Sequence, residues 1–277
     1  MASYVQKKRG ILFPLAMALV LALSLFPIYW ILATSLKTPV EVISTSPTFY
    51  PHEPTLQNYA EIAKGGYLRN VANSLVVTAA STGASLVLAF LASYALSRYR
   101  FPLGANKAFL VWIIMAKMLP PVVLAVPIYD LFARLRLVNS IPGLVLVYQV
   151  YTLPYCIWML FGFVKALPRE FEEAADIDGA SNSQILWRIA FPLVRTGVVA
   201  TAIFSVIVAW DEFLFALLFV RSPDKMTLPL VVSGFIGEFE TLWGQLMAIG
   251  ILATAPIMAF SRVVFRQMTS AYSLDLK

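Results

Sequence analysis

The sequence predicts an all-α membrane protein of six transmembrane helices, with both termini in the cytoplasm and a polar cytoplasmic loop between helices 4 and 5. Three observations carry that prediction. Of the 277 residues, 60% are hydrophobic and 13% are charged, with a mean hydropathy of +0.77. A soluble domain carries about 25% charged residues, and this much apolar surface cannot be hidden in one core. Apolar runs recur at about 11–34, 74–96, 107–132, 143–164, 197–220 and 242–265, each near the length that crosses a bilayer. Basic residues between the runs are concentrated on the side of Lys7, Lys8, Arg9, Arg98, Arg100, Arg169, Arg188 and Arg195, which the positive-inside rule assigns to the cytoplasm. The whole chain, 1–277, reads as one transmembrane domain.

The first run follows Lys7-Lys8-Arg9 and is too long for a signal-peptide core, so it is a retained helix. Four prolines between Lys37 and Arg69 (Pro39, Pro47, Pro51, Pro54) mark an external loop. The second span carries Ser74, Thr78, Ser81, Thr82, Gly83 and Ser85, small residues that let helices approach closely in lipid. It opens at Asn73-Ser74-Leu75 and closes on basic Arg98 and Arg100.

The third span is interrupted by Pro120-Pro121 and Pro127 and holds Lys117. Proline breaks the helix, and the freed backbone must face protein or a water-filled cavity. A charge at membrane depth costs about 2.5–3.5 kcal/mol on insertion scales. Lys117 therefore either faces a translocation path, or it snorkels to an interface or pairs with Asp211 or Glu212. The fourth span is expected to kink at Pro154 and has a polar patch of Tyr148, Gln149, Tyr151 and Thr152. Gln149 and Tyr151 are pathway candidates. The fifth holds Trp210-Asp211-Glu212-Phe213. Two adjacent carboxylates within a membrane segment need water, a cation or protonation, so Trp210, Asp211 and Glu212 are expected to line a cavity. The tail from Arg266 returns to the cytoplasm.

Between the fourth and fifth spans, about 167–193, the chain turns polar and acidic. A first helix, about Arg169 to Ile177, has an apolar stripe of Leu167, Phe171, Ala174 and Ala175. Glu170, Glu172 and Glu173 sit in its first turns, where the helix dipole favours negative charge. Asp178-Gly179 suits the helix end, and Ser181 with Gln184 reads as a capping box that starts a second helix at a sharp angle. The plain reading is an amphipathic loop on the membrane surface. The order Glu173-Ala174-Ala175, Asp178-Gly179-Ala180, then Ile189, Pro192 and Leu193 resembles the EAA loop of ATP-binding-cassette (ABC) importer permeases, in the form usual in their carbohydrate branch. A further proline common there is Thr196 here. Other stretches are similar to the same family. Phe49-Tyr50-Pro51 and Pro54 to Tyr59 match its first external loop. Trp210 to Phe213 resembles its Trp-Asn-Glu-Phe, with Asp211 in place of Asn. Met268-Thr269-Ser270-Ala271 is a degraded form of its tail.

That resemblance implies a permease of the cell inner membrane, similar to the maltose-type second permease subunit, importing a sugar, polyol or sugar derivative. It implies a second homologous permease in a heterodimer, two ATP-binding subunits that carry ATP and Mg, and an extracytoplasmic solute-binding protein. Glu172, Glu173, Ala174, Ala175, Asp178, Gly179, Ala180, Ile189 and Pro192 would couple to the ATPase. The chain has no phosphate-cradling Gly-rich motif of its own and no catalytic constellation, so it is not expected to be an enzyme or to hold a cofactor. Lone Cys156 allows no intrachain disulfide, and lone His52 supports no metal site. The formal charge of +6 is absorbed by topology and membrane lipid, with no nucleic acid implied. The alternative is an ion- or proton-coupled secondary transporter, favoured by Lys117, Asp211, Glu212 and the broken third span.

Overall fold

The computed structural model describes the backbone of residues 12–237 and 241–274, and the side chains of 13–237 and 241–262. Lys7, Lys8 and Arg9 lie outside the described residues. In chain order the helices are α1 (Leu12–Ser35), α2 (Pro39–Val42), α3 (Gln57–Lys64), α4 (Tyr67–Arg98), α5 (Ala105–Met118) and α6 (Pro121–Arg134). There follow α7 (Ile141–Val147), α8 (Gln149–Ala166), α9 (Glu170–Ile177), α10 (Asn182–Gln184), a π-helix over Ile185–Ala190 and α11 (Phe191–Leu193). The last are α12 (Arg195–Trp210), α13 (Leu214–Phe219), α14 (Leu228–Gly234) and α15 (Trp243–Leu274). Three of these, α1, α4 and α15, are long and apolar enough to cross a membrane singly. Three bent pairs bring the total to as many as six spans.

The bends are where the expected boundaries move. α5 and α6 meet at 100° around Leu119-Pro120, the break expected from the prolines. The fourth span bends by 42° at Tyr148 rather than at Pro154, which lies inside α8. Side chains explain the site. Thr152 Oγ1 donates back to the Tyr148 carbonyl (3.0 Å), and Gln149 Nε2 donates to the Val145 carbonyl (3.0 Å). Such bonds compete with the backbone ladder and bend helices. The fifth span is not one helix: α12 ends at Trp210 and α13 starts at Leu214, with the Trp-Asp-Glu-Phe segment forming the break. The second span starts at Tyr67, ahead of the expected Asn73-Ser74-Leu75, and at 32 residues is roughly 48 Å long, well beyond a bilayer core. The backbone of α15 stays helical to Leu274, so the expected tail continues the sixth helix.

The chain divides into two compact units. One comprises residues up to Gly66 together with Gly234–Ala255. In it α1 is exposed along most of its length, as a lipid-facing helix should be, and its end at Ala33–Ser35 is buried. There the Asn58 amide donates to the carbonyls of Ser35 (2.9 Å) and Lys37 (3.0 Å), and Gln245 donates to Glu61. Gly244 is required beside it, because a Cβ there would stand 2.6 Å from Asn58 Oδ1.

The other unit comprises Tyr67–Ser233 and Pro256 onward. α4 packs along α8 and α12 through a buried face of Ser74, Thr78, Ser81, Thr82 and Ser85 from the expected small-residue stripe, joined by Ser93, while Gly83 of that stripe is exposed. Ser85 bonds Gln149 (2.6 Å) and Thr152 (2.5 Å), Ser205 bonds Thr82 (3.2 Å), and Ser93 donates to the Ile157 carbonyl (3.0 Å). Interhelical polar bonds of this kind average about 0.6 kcal/mol each in membranes, so close packing does most of the holding. At one end Asn70 and Asn73 donate to the carbonyls of Pro223, Asp224 and Met226, tying the loop after α13 to the first turns of α4. At the other end α4 meets the loop that leads into α9.

Candidate functional site

The polar segment between α8 and α12 has the expected construction. Glu170, Glu172 and Glu173 occupy the first turn of α9. Gly179 takes φ +80°, and Ala180 N–H bonds the Ala175 carbonyl (2.9 Å) while Gly179 N–H bonds that of Asp176 (3.0 Å). This is the paired C-terminal closure that a left-handed glycine makes available. Ser181 and Gln184 then form the capping box: Gln184 Oε1 accepts from Ser181 N–H (2.8 Å), and Ser181 Oγ accepts from Gln184 N–H (3.4 Å). Two short helices thus follow each other across a rigid corner.

Their surfaces are unequal. Ala175 is buried and Ala180 half-buried, whereas Glu173, Ala174, Asp178 and Gly179 are exposed. Phe171 and Ala174 of the expected apolar stripe also face outward, and Ile177 at the tip is 87% exposed. An apolar tip ringed by carboxylates is left uncovered by the described residues. On the second side, Ile189 is half-buried, Pro192 is exposed, and the π-helix carries Trp187 against Phe90 (centroids 5.7 Å apart). π-Helical turns are rare and are frequent at functional sites. The run Asn182–Leu193 then bends by 73° into α12.

Glu172 stands apart from its neighbours. Its carboxylate accepts from Arg98 Nε (2.8 and 3.0 Å), pairs with Arg98 Nη2 (2.8 Å), and accepts from the Tyr94 hydroxyl (3.0 Å). Sequence places Arg98 at the cytoplasmic end of the second span but does not pair it or Tyr94 with Glu172, since nothing local links positions 74 and 78 residues apart.

The pathway candidates separate in space. Trp210 is buried and lines an apolar cleft of about 320 Å³ with Thr78, Thr82, Gly83, Pro256 and Phe260. Asp211 is exposed, and Glu212 is 6% exposed. The two adjacent carboxylates stand in different surroundings. Glu212 instead accepts from the N–H groups of Phe215 (2.8 Å) and Ala216 (3.2 Å), so it caps α13. Gln149 spends its amide on Ser85, Val145 and Ser81, and Tyr151 packs edge-on against Phe215 at 5.3 Å. Lys117 is half-buried with its ammonium over the Tyr155 ring, 2.8 Å from the centroid. Of the alternatives for Lys117, the pairing with Asp211 or Glu212 is not formed; its ammonium makes a cation–π contact with Tyr155 instead.

The lone histidine is accounted for: His52 Nδ1 lies 3.1 Å from Glu41 Oε1, and Thr48 Oγ1 donates to the same carboxylate (2.6 Å). These bonds, the one from Thr48 first, hold the Glu41 carboxyl below its ordinary range. Among the described residues, no group of three or more His, Cys, Asp or Glu side chains is placed to hold a metal ion.

Comparison with known proteins finds relatives along most of the chain. The family model described as "Binding-protein-dependent transport system inner membrane component" matches residues 85–272. The sulfoquinovosyl glycerol transport system permease protein of Agrobacterium fabrum is 37% identical over 91% of this chain and 88% of its own length. The diacetylchitobiose uptake system permease protein of Streptomyces coelicolor is 35% identical over 90% of each chain. A chain from the crystal structure of a bacterial ABC transporter that imports the acidic polysaccharide alginate superposes with a TM-score of 0.77 at 19% identity, covering 96% of this chain and 98% of that one.

Proposed function

The chain belongs to the family of binding-protein-dependent transport system inner membrane components and is a permease subunit of an ABC importer; from that premise we propose that it carries a sugar or sugar derivative, driven by a separate ATPase through the corner at Gly179. The observation that carries the coupling half is the exposed tip of α9. Ile177 and the carboxylates of Glu173 and Asp178 project from a helix whose end is locked by Gly179 and restarted by the Ser181 box. A groove on an ATPase would bury that tip. Support for a carbohydrate comes from the two relatives, one named for diacetylchitobiose and one for sulfoquinovosyl glycerol.

In this reading both termini and the α9 corner are cytoplasmic. Two ATP-binding subunits carry ATP and Mg, a second homologous permease completes the path, and a solute-binding protein delivers cargo from outside. ATP binding draws the ATPase subunits together, α9 follows, and the α4–α8–α12 bundle shifts between two packed arrangements as a rigid body. Trp210 and Asp211 at the break before α13, with Lys117 at the break after α5, are the residues proposed to border the path.

Co-purification after mild detergent extraction tests this. The parent chain should bring an ATPase subunit and a second permease with it. The pair Glu173→Lys with Asp178→Lys should lose the ATPase and keep the permease. A parent chain that purifies without an ATPase would overturn the reading and leave the ion-coupled carrier in its place. Against that carrier stands Glu212, which is occupied by backbone amides rather than by an ion or a relay of titrating groups.

A further inference from the structure

We propose that Arg98 and Glu172 are positioning residues that lock α9 to the end of α4, so that the two move as one lever. This rests on the coupling role just given to α9, and it removes Glu172 from the set that meets the ATPase. Of the ion pairs among the described residues, this one has both side chains nearly buried, 9% and 12% exposed; the other three each leave a partner 60% or more exposed. Surface ion pairs tether weakly. A buried, two-pronged Arg–carboxylate pair fixes direction as well as distance, and breaking one side strands a charge.

The surrounding bonds make the joint rigid in more than one direction. Arg98 Nη2 also donates to the carbonyl of Leu167 (3.0 Å), the residue that ends α8. Arg169 Nη2 donates to the Ser97 carbonyl (3.3 Å), and Tyr94, one turn back on α4, holds the second carboxylate oxygen. The last turn of α4 therefore grips the end of α8 and the start of α9 at once. α4 in turn packs along α8 and α12. A displacement at the tip of α9 has a stiff route into the bundle that does not pass through the α10–α11 run.

The test uses the complex purified through this chain, with Mg-ATP and orthovanadate as the probe. A reporter cysteine replaces Leu68, which is 52% exposed at the opposite end of α4; native Cys156 is buried and stays unlabelled. In the parent, trapping should change maleimide reactivity at position 68 by about tenfold, within the range of allosteric couplings. Arg98→Gln and Glu172→Gln should keep hydrolysing ATP while that response falls below about twofold, and the swap R98E/E172R should restore most of it. A role confined to stability would lower hydrolysis and response together, and that result would overturn the proposal. So would single variants that respond like the parent, or a swap without rescue.

Should the single variants fail to assemble, spin labels at Glu170→Cys and Tyr99→Cys on the otherwise native chain decide. A separation constant to within about 2 Å across nucleotide states supports the lever, and a larger change sinks it. A parent that brings no ATPase overturns the importer reading itself, an outcome distinct from all of these.

Discussion

Gly179 holds φ +80° with open space around it, since a Cβ built there meets nothing within 4 Å. Any penalty at this position is therefore one of backbone conformation alone. An L-residue in the left-handed region loses roughly 1–2 kcal/mol, and asparagine less than most. Gly179→Val should leave membrane insertion intact and weaken retention of the ATPase by about 5–30-fold, whereas Gly179→Asn stays near the parent. Equal retention by the two variants would show that the corner does not matter. Glu212 poses the complementary case of a side chain that works on the backbone. Glu212→Ala strands the buried amides of Phe215 and Ala216, at about 1–3 kcal/mol each, and Glu212→Gln keeps one acceptor. Melting temperatures in detergent should fall in the order parent, Gln, Ala. Gly179 and the Ser181–Gln184 box were legible in the sequence because each rests on a local backbone rule. The roles of Glu212 and Glu172 were not, because a carboxylate looks the same whether it meets water, an arginine or two amides.

The helices themselves follow from hydropathy and length, and three of them are long and apolar enough to cross a membrane singly. Their bends do not follow so simply. Proline located the break between α5 and α6 but not the one at Tyr148, where Thr152 and Gln149 draw carbonyls away from the ladder. The π-turn at Ile185–Ala190 has no compositional signature at all. The short α2 and its loop offer a test by pH. Glu41 titrates below the ordinary carboxylate range because the Thr48 hydroxyl and then His52 bond its charged form. A depressed folded value means that the carboxylate's contribution is complete above the unfolded carboxylate range and is lost as pH falls through the folded value. Cleavage by an acid-tolerant protease within residues 36–56 should accelerate on that descent, and Glu41→Gln should cleave fast throughout. A parent whose cleavage rate ignores pH would contradict the role given to Glu41.

At the level of the molecule, the sequence carries the class and the family outright, since composition, charge asymmetry and a long ordered motif point the same way. It does not carry which distant surfaces meet. α4 shows why this matters. Asn70 bonds the carbonyls of Pro223 and Met226, 153 and 156 residues later, and Thr82 bonds Ser205, 123 residues later. Asn70→Ala should lower the melting temperature by exposing this tie, and an unchanged value would argue that the loop is held elsewhere. The same spacing has a consequence for biosynthesis. A ribosome working at about 5–20 residues per second needs roughly 8–30 s to make the stretch between Asn70 and its partners. Through that interval α4 waits in the insertion machinery or the bilayer with part of its hydroxyl and amide face unmatched. The second span to be made is among the last to be satisfied, so its shelter during synthesis is a requirement written into the order of the chain.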